Sequence, residues 1–331
     1  MLDIIIPVYN NYDGLAATLA SFGTVNRIPY HFIIIDDAST VDYTPIIDFY
    51  SQWFDIQYYK LVKNSGPGVA RNKGLSYATH DFITFIDAGD ELLNSYSLLQ
   101  EMGNFFMDEK IVMLCPMFIQ VNENDEFFPT WHENDKLQGK IYKRSFISQY
   151  DIKFGEAYSW YNEEIAFNAC CDLIIEANMD KYSCLRLQDP FTIQTSDNPE
   201  SLTLKDNKAG FYKIQNMALA QNFIEALETT IKPNVPIDIY IQRIYSIFVS
   251  EWRTYIATIN TRPEFTKEAL DGAAYFYHKC FKNYPLDEDL LAYHYNLEMQ
   301  TVFWGNDPFS SKLLTVSILD FIKLLKKQKV N

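Results

Sequence analysis

The stretch FITFIDAGDE, residues 82–91, decides the fold class of this chain. An apolar, partly β-branched run ends there directly on Asp87 and Asp90. A carboxylate at the end of a buried strand must be hydrated, hydrogen-bonded, paired or metal-bound, because burying an uncompensated charge is costly. The segment FIIIDD, residues 32–37, ends on two aspartates in the same way. Ligands bind at the carboxyl ends of the strands in an open parallel sheet, so these two acidic strand ends predict one site for a polar ligand.

Strand and helix signals alternate along the first hundred residues. Apolar runs typical of strands are separated from one another by helical spacing or helix-start signals. The runs are residues 3–8, 31–35, 56–62 and 82–86. Such alternation with short connections predicts an α/β fold, in which a mostly parallel sheet is covered by helices on both faces.

The sequence pattern changes twice after the first hundred residues. Residues 101–205 mix strand and helix signals, and the strand-like segment IVMLCPMFIQV is expected to be broken at Pro116. Beyond residue 205, long segments without turn signals predict amphipathic helices. We therefore expect an α/β domain in two halves, residues 1–100 and 101–205, followed by an α-helical C-terminal domain, residues 206–331.

Composition and charge limit the class of protein. The 331-residue chain is 48% hydrophobic and 16% aromatic, which is typical of a well-packed globular protein. Its formal charge of -15 opposes non-specific attraction to a nucleic-acid backbone. We expect no signal peptide and no membrane-spanning segment, because no long apolar run is present. The five cysteines form no CxxC or zinc pattern, so reduced thiols in a cytoplasmic protein are expected.

The ends of the first two strands carry candidate binding residues. Pro7 is expected to stop the first strand, and the ring of Tyr9 would then project over the sheet edge and stack on a base. A packed loop tyrosine is the alternative. One of Asp36 and Asp37 would accept a hydrogen bond from a base N–H or a ribose hydroxyl, while the alternative is that both cap the following turn.

Two further segments place charged residues near expected helix starts. NSGPGVARNKG, residues 64–74, is a glycine-containing loop that opens a helix, and its backbone N–H groups together with Arg71 suit a phosphate. Glu163 and Glu164 begin another helix among aromatic residues. Apolar neighbours raise the pKa of a carboxyl group, which favours a general base. An ordinary acidic first turn is the alternative for this pair.

The fourth strand run ends on hard oxygen ligands. Asp87, Asp90 and Glu91 suit Mg²⁺ or Mn²⁺, and such an ion would also hold a pyrophosphate. A helix N-cap with acidic first-turn residues is the alternative. The residues alone leave both interpretations open.

Five motifs taken together resemble glycosyltransferase family 2. They are DIIIPVYN, IIIDDAST, NSGPGVARNKGL, ITFIDAGDEL and YNEEIAFN, and they occur in the family's order within residues 1–204. The resemblance implies a GT-A fold, a Rossmann-like sheet whose first half binds a nucleotide sugar and whose second half binds the acceptor. It implies an inverting transferase that uses Mn²⁺ or Mg²⁺ and most often a UDP-sugar donor.

The resemblance also implies roles for individual residues. The residues expected to contact the donor are Pro7, Tyr9, Asp36, Asp37, Asn64, Arg71 and Asp87. The family's DxD motif falls on residues 87–89, so Gly89 replaces its second aspartate, and Asp87 and Asp90 are expected to share the metal. The catalytic Glu-Asp pair of the family falls on Glu163 and Glu164, which places Glu164 at the base position.

Contacts from three other segments are expected with less support from the motifs. Trp160 or Tyr161 would stack on a sugar face, with packing inside the protein as the alternative. Ser201 and Thr203 fall where related enzymes have a loop over the phosphates. The last predicted helix has an apolar stripe followed by lysines, which is typical of contact with an anionic membrane or of packing inside the helical domain. That domain would also serve acceptor binding or homo-oligomerisation.

Three functions follow from this pattern. The first is transfer of a sugar to a glycan or cell-envelope polymer. The second is transfer to a hydroxymethylated DNA base, which the net charge disfavours. The third, from another class, is a non-catalytic nucleotide-sugar-binding or scaffold protein in which Gly89 reflects lost metal chemistry.

Overall fold

The structure is a computed structural model, and it describes residues 1–23, 30–93, 103, 105, 107–121, 126–130, 136–156, 159–160, 163–194, 208–304 and 316–328. The chain divides into two compact units, Met1–Lys205 and Asp206–Asn331. In their described parts, the first unit is α/β and the second is helical. This architecture confirms the expected fold class.

The first unit is built on one mixed β-sheet. Its strands are β1 (Leu2–Val8), β2 (Tyr30–Asp36), β3 (Asp55–Lys60), β4 (Phe82–Phe85), β5 (Glu91–Leu92), β6 (Ile111–Val121), β7 (Phe127–Thr130), β8 (Ile141–Lys143) and β9 (Ser183–Gln194). The strand order is β3-β2-β1-β4-β8-β6-β9-β5, and β7 pairs with β6. The strands from β1 to β4 are parallel, as the alternating pattern predicts, whereas β8 runs antiparallel to both β4 and β6.

Helices cover both faces of the parallel strands. The helices of this unit are α1 (Tyr12–Ser21), α2 (Thr44–Tyr50), α3 (Pro67–Tyr77), α4 (Arg144–Gln149) and α5 (Glu163–Ala177). Leu15 of α1 and Ile46 of α2 belong to the same buried cluster as Ile4 of β1. Alternate residues of a strand point to opposite faces. Ile5 therefore lies on the other face, where it meets α3.

Two prolines lie within strands instead of ending them. Pro7 pairs with Ile35 in β1, so the expectation that it stops the strand was wrong. β4 pairs with β1 only over Leu2–Ile5, and Pro7 follows that pairing, so no ladder bond is lost on that side. Pro116 likewise lies inside β6, and the expected break was wrong. The register with β9 shifts between Pro116 and Met117, which accommodates the missing N–H.

Helix α3 approaches β1 closely at Gly74. A Cβ atom there would lie 2.3 Å from Cγ2 of Ile5. We expect Gly74→Ala to lower the free energy of unfolding by about 1–3 kcal/mol, because the buried Ile5 side chain must move. Denaturant unfolding measures this loss. Gly103→Ala is the control, since a Cβ at Gly103 meets no atom within 4 Å. Equal stability of the two variants would contradict the close packing.

The second unit is helical in its described residues. Its helices are α6 (Lys208–Ala226), α7 (Lys232–Asn234), α8 (Ile237–Thr261), α9 (Thr266–Cys280), α10 (Glu288–Trp304) and α11 (Ile318–Lys327), and α6 continues into a π-helical turn, Leu227–Ile231. None of the described helices is both long and apolar enough to cross a lipid bilayer.

The apolar stripe of α11 packs inside this unit. Ile318, Phe321 and Leu325 are buried, and Phe321 packs against Phe248 and Tyr255 of α8. The stripe is therefore not displayed to a membrane surface, and the packing alternative for this helix holds. Membrane contact through the stripe would need these side chains to leave their protein partners, whereas contact through the exposed lysines at the helix end, Lys326 and Lys327, stays a prediction.

Candidate active site

Loops that follow three parallel strands, β1, β2 and β4, meet at the carboxyl edge of the sheet. The backbone N–H of Asn10, after β1, donates to Oγ of Ser39, after β2, at 2.9 Å. The side chain of Asn11 donates to the carbonyl of Ala88, after β4, at 2.8 Å. These bonds connect chain segments that are far apart in sequence and fix the relative positions of the loops that carry the predicted site residues.

Asp36 and Asp37 hold two of these loops. The buried carboxylate of Asp36 accepts from the backbone N–H of Ser39 at 2.7 Å and from the hydroxyl of Tyr58 at 2.6 Å. The carboxylate of Asp37 accepts from the backbone N–H groups of residues 65–66, each at 2.7 Å. The contact with Ser39 matches the capping alternative for Asp36, whereas Asp37 holds the loop before α3 instead of the following turn. A bond from either residue to a nucleotide base remains a prediction, and it would share an oxygen that already accepts from the protein.

Two exposed aromatic side chains stand at this edge. Tyr9 follows β1 directly and is 45% exposed, whereas Pro7 is buried in the strand. Trp160 is 40% exposed, and its Nε1 donates to Oδ1 of Asn64 at 3.3 Å. An exposed ring fixed on a rigid element can stack on a planar base or a sugar face. Tyr9 and Trp160 are therefore the aromatic candidates for donor contact.

A buried arginine links the two acidic segments of the site. Arg71, in α3, donates from Nη1 to Oε1 of Glu163 at 2.5 Å and from Nη2 to Oδ1 of Asp87 at 2.7 Å. Arg71 is only 3% exposed. Burial disfavours its charge, but the charges of Asp87 and Glu163 outweigh burial and hold the pKa of Arg71 above its usual value. Nη1 and Nη2 of Arg71 thus have protein partners, and a contact of Arg71 with a phosphate stays a prediction.

The adjacent glutamates at the start of α5 differ in environment. Glu163 is 5% exposed, and burial raises its pKa while its contact with Arg71 opposes the rise. Glu164 keeps partial exposure, and burial together with the neighbouring charge of Glu163 raises its pKa to about 7. A carboxyl group that titrates near neutral pH and has an open side is suited to accept a proton from a substrate. Glu163 instead forms an ion pair with Arg71.

Sequence patterns do not single out Ser159, yet this residue accepts hydrogen bonds from the first N–H groups of α3. Its carbonyl accepts from the N–H of Gly68 at 3.0 Å, and its Oγ accepts from the N–H of Val69 at 2.6 Å. A Cβ atom at Gly66 would lie 2.9 Å from the Ser159 carbonyl. The glycines of this segment therefore allow two backbones to approach closely. The expectation that this helix start receives a phosphate was wrong for Gly68 and Val69, whose N–H groups have protein acceptors.

The loop after β4 is held against α1. Oγ1 of Thr18 donates to the carbonyl of Asp90 at 2.8 Å and accepts from the N–H of Gly89 at 2.9 Å. Gly89 has a φ of 113°, which favours glycine because other residues are strained there. The backbone of this loop thus suits glycine at the position where the family's DxD motif has its second aspartate.

Asp87 and Asp90 are the carboxylates of this loop that are predicted to hold a cation. The Asp87 side chain is 44% exposed, and the contact with Arg71 is made by Oδ1 alone. Asp90 is 7% exposed. In the described part of the chain, the group of three ligand-type side chains within reach of one ion lies elsewhere, around Asp3. Mg²⁺ needs only one or two protein carboxylates when substrate phosphates supply other ligands, so Asp87 and Asp90 suit that kind of site.

Some predicted contacts fall where the structure gives no description. Tyr161, Ser201 and Thr203 lie outside the described residues.

The cysteines are free thiols, and Sγ of Cys115 lies 3.3 Å from Sγ of Cys184.

Comparison with known proteins identifies the family of this chain. The model described as "Glycosyl transferase family 2" matches residues 3–171, more than half of the 331 residues. YibD of Escherichia coli, an uncharacterised glycosyltransferase, is 34% identical over 103 residues, which cover 31% of this chain and 30% of that protein. The poly(ribitol-phosphate) beta-glucosyltransferase of Bacillus spizizenii is 31% identical over 103 residues, which cover 30% of this chain and 16% of that protein. The match thus spans less than a third of either relative.

Solved structures share the fold. TarS of S. aureus superposes with a TM-score of 0.61 at 19% identity, covering 88% of this chain and 50% of that chain. Residues 1–349 of TarS in complex with UDP-GlcNAc give a TM-score of 0.52 at 17% identity, covering 92% of each chain. Identities this low show a shared GT-A fold alone. The family assignment rests on the match over residues 3–171, by which the chain belongs to glycosyl transferase family 2.

Proposed function

We propose that the protein is an inverting glycosyltransferase that moves a sugar from a nucleotide sugar to an acceptor hydroxyl. One observation carries the proposal. Arg71 joins Asp87, on the donor side, to Glu163 at the start of α5, and the next residue, Glu164, has a pKa of about 7. A carboxylate suited to a phosphate-bound cation and a carboxyl group suited to general-base work therefore belong to one ion network.

The donor that we propose is a UDP-sugar. Family membership supports a nucleotide sugar, and the TarS fragment with the same fold has been solved with UDP and with UDP-GlcNAc. Tyr9 provides an exposed ring at the edge of the sheet for the base. Pro7 is buried in β1, so in this proposal it supports the strand that carries Tyr9 and does not itself touch the base.

The acceptor that we propose is a hydroxyl of a glycan or cell-envelope polymer. The name of the Bacillus relative, a poly(ribitol-phosphate) glucosyltransferase, supports this class. Nothing in the described residues favours a DNA base, and the net charge of -15 opposes it. The five free cysteines agree with a reducing compartment such as the cytoplasm.

The proposed reaction is a single displacement. Glu164, in its ionised form, takes the proton of the acceptor hydroxyl, and that oxygen attacks the anomeric carbon from the face opposite the nucleotide. The bond from the anomeric carbon to the diphosphate oxygen breaks as the new bond forms, which inverts the anomeric configuration. Asp87 and Asp90 would hold Mg²⁺ or Mn²⁺, whose chemistry is to neutralise the departing diphosphate.

Arg71 positions the acidic residues of the site in this proposal. Its two N–H contacts fix Asp87 and Glu163 relative to each other, so the start of α5 is held against the loop after β4. Because Glu164 directly follows Glu163, the same contacts set the place from which Glu164 meets the acceptor. We therefore give Arg71 a positioning role instead of direct contact with the phosphates.

Nucleotide binding tests the donor site. UDP, GDP and CDP are titrated against the protein with Mn²⁺, with Mg²⁺ and with chelator. We expect saturable binding of UDP, and we expect Tyr9→Ala to weaken it about 5- to 150-fold, because stacking of an aromatic ring on a base contributes about 1–3 kcal/mol. The matched control is Tyr293→Ala in the helical unit, where the tyrosine is 55% exposed.

Two results would count against this donor site. The first is the absence of saturable binding for every nucleotide under all metal conditions. The second is an equal loss of nucleotide affinity in Tyr9→Ala and Tyr293→Ala, which would show that the base does not stack on Tyr9. Tight binding without turnover of any donor would favour the non-catalytic binding protein.

A further inference from the structure

A second cluster of ligand-type side chains lies at the amino end of the parallel strands, away from the proposed donor site. Asp3 of β1 and His31 of β2 are register partners, and His80 lies between α3 and β4. Nδ1 of His31 lies 2.5 Å from Oδ1 of Asp3, and Nδ1 of His80 lies 2.7 Å from the same oxygen. The three ligand atoms all lie within 4.8 Å of one another.

The cluster is a buried carboxylate whose ion-pair partners are histidines, and the nearby Arg144 donates to the backbone carbonyl of His80 at 2.8 Å instead of to Asp3. Asp3 is 0% exposed and His31 is 2% exposed. Burial would raise the pKa of Asp3, but hydrogen bonds from His80 and His31 outweigh it and lower the pKa, so the group stays ionised. In the described part of the chain, its ion-pair partners are these two histidines, with no lysine or arginine. A cation bound at Oδ1 of Asp3 would therefore replace the hydrogen bonds from the two histidines.

The backbone fixes the direction in which this carboxylate faces. Oδ2 of Asp3 accepts from the N–H groups of Thr79 and His80, each at 2.8 Å. With Oδ2 held by the backbone, Oδ1 is the oxygen turned toward both imidazole rings. Outer contacts of this kind orient the ligands of metal sites.

We propose that Asp3, His31 and His80 bind one transition-metal ion of the zinc type. Two imidazole nitrogens and a carboxylate oxygen suit Zn²⁺, whereas Mg²⁺ prefers oxygen ligands alone. The ligand atoms need small displacements from their hydrogen-bonded positions to reach metal–ligand distances of about 2.0–2.2 Å. A metal-bound Nδ1 carries no proton, so each metal-bound ring would hold its proton on Nε2, and the two contacts with Oδ1 would be exchanged for metal–ligand bonds.

The structure also provides access and a consequence for this ion. The His80 side chain is 29% exposed, which leaves a route for the ion and a position for a water as fourth ligand. Since the three ligands come from β1, β2 and the turn after α3, the ion would tie these elements together. We therefore expect the bound ion to stabilise the first unit against unfolding.

Zinc titration of the full chain tests this site. Chelator-treated protein without nucleotide is titrated with Zn²⁺ against a competing chromophoric chelator, and elemental analysis gives the stoichiometry. We expect one tightly bound ion, a raised midpoint of thermal unfolding, and binding at least about tenfold weaker in His80→Gln and in Asp3→Asn. His80→Gln keeps the backbone N–H that contacts Asp3, and circular dichroism verifies that it folds.

Controls separate this site from other metal-binding groups of the chain. His278→Gln, in the helical unit, and Asp87→Asn, in the proposed donor site, should both bind Zn²⁺ as the parent does. Loading with Co²⁺ should give a spectrum without thiolate charge-transfer bands, because the site contains no cysteine. No tight Zn²⁺ binding, thiolate bands, or loss of binding in Asp87→Asn but not in His80→Gln would each overturn the proposal.

Discussion

Glu164→Gln is expected to lower the rate of sugar transfer by about 10²–10⁴-fold, because the amide cannot take the proton of the acceptor hydroxyl. Glutamine has nearly the same shape as glutamate, so the affinity for the nucleotide should stay unchanged. Initial rates at saturating donor, together with nucleotide titrations, measure both quantities. The matched control is Glu176→Gln, an exposed glutamate on the same helix, which should transfer sugar at the parental rate.

The same carboxyl group predicts the pH dependence of the parent enzyme. Burial and the charge of Glu163 raise the pKa of Glu164 to about 7. A base must be ionised to act, so the rate should rise with pH through about 7 and level off above it. The residual rate of Glu164→Gln should not show this rise. A pH profile that is identical in the parent and the variant would contradict the assignment of Glu164 as the general base.

Arg71→Met is expected to lower the free energy of unfolding by about 3–5 kcal/mol and to abolish transfer, because it leaves the buried Glu163 without its cation. Denaturant unfolding and initial rates measure the two effects. Arg253 offers a matched control, since its ion pair with Glu298 at 2.8 Å is solvent-exposed. Arg253→Met should cost less than about 1 kcal/mol.

A double variant shows whether the loss at Arg71 arises from the uncompensated carboxylate. Arg71→Met combined with Glu163→Gln removes both charges, so it should recover part of the stability that Arg71→Met loses. Transfer should stay low in the double variant, since neither Asp87 nor the start of α5 is then held in place. A double variant as unstable as the sum of the two single variants would show that the two side chains do not interact.

The sequence predicts the parallel strands well because their signal is local. An apolar run such as the one that ends at Asp87 is only a few residues long, and β4 begins at Phe82, where this run begins. Whether a proline ends a strand depends on the neighbouring strand, which the run itself does not reveal. Pro7 is tolerated in β1 because the pairing with β4 has already ended at Ile5, and this follows only from the register of the sheet.

The site is less readable than the sheet because its contacts are non-local. Motif positions suggest Arg71 and Glu163 separately, but the bond between them joins residues 92 positions apart in the chain. Ser159 belongs to no charged pattern, and its importance lies in the backbone N–H groups that it accepts from. Asp3 illustrates the same limit, since the histidines that contact it arrive from two other elements.

Donor turnover tests the central claim most directly. Release of nucleoside diphosphate is measured from UDP-, GDP-, CDP- and dTDP-sugars with Mn²⁺, with Mg²⁺ and with chelator, alone and with glycan or hydroxymethylated DNA acceptors. We predict cation-dependent release from a UDP-sugar by the parent, and its loss in Glu164→Gln at unchanged nucleotide affinity. Saturable donor binding with no release under any of these conditions would contradict a transferase and would leave a nucleotide-sugar-binding protein.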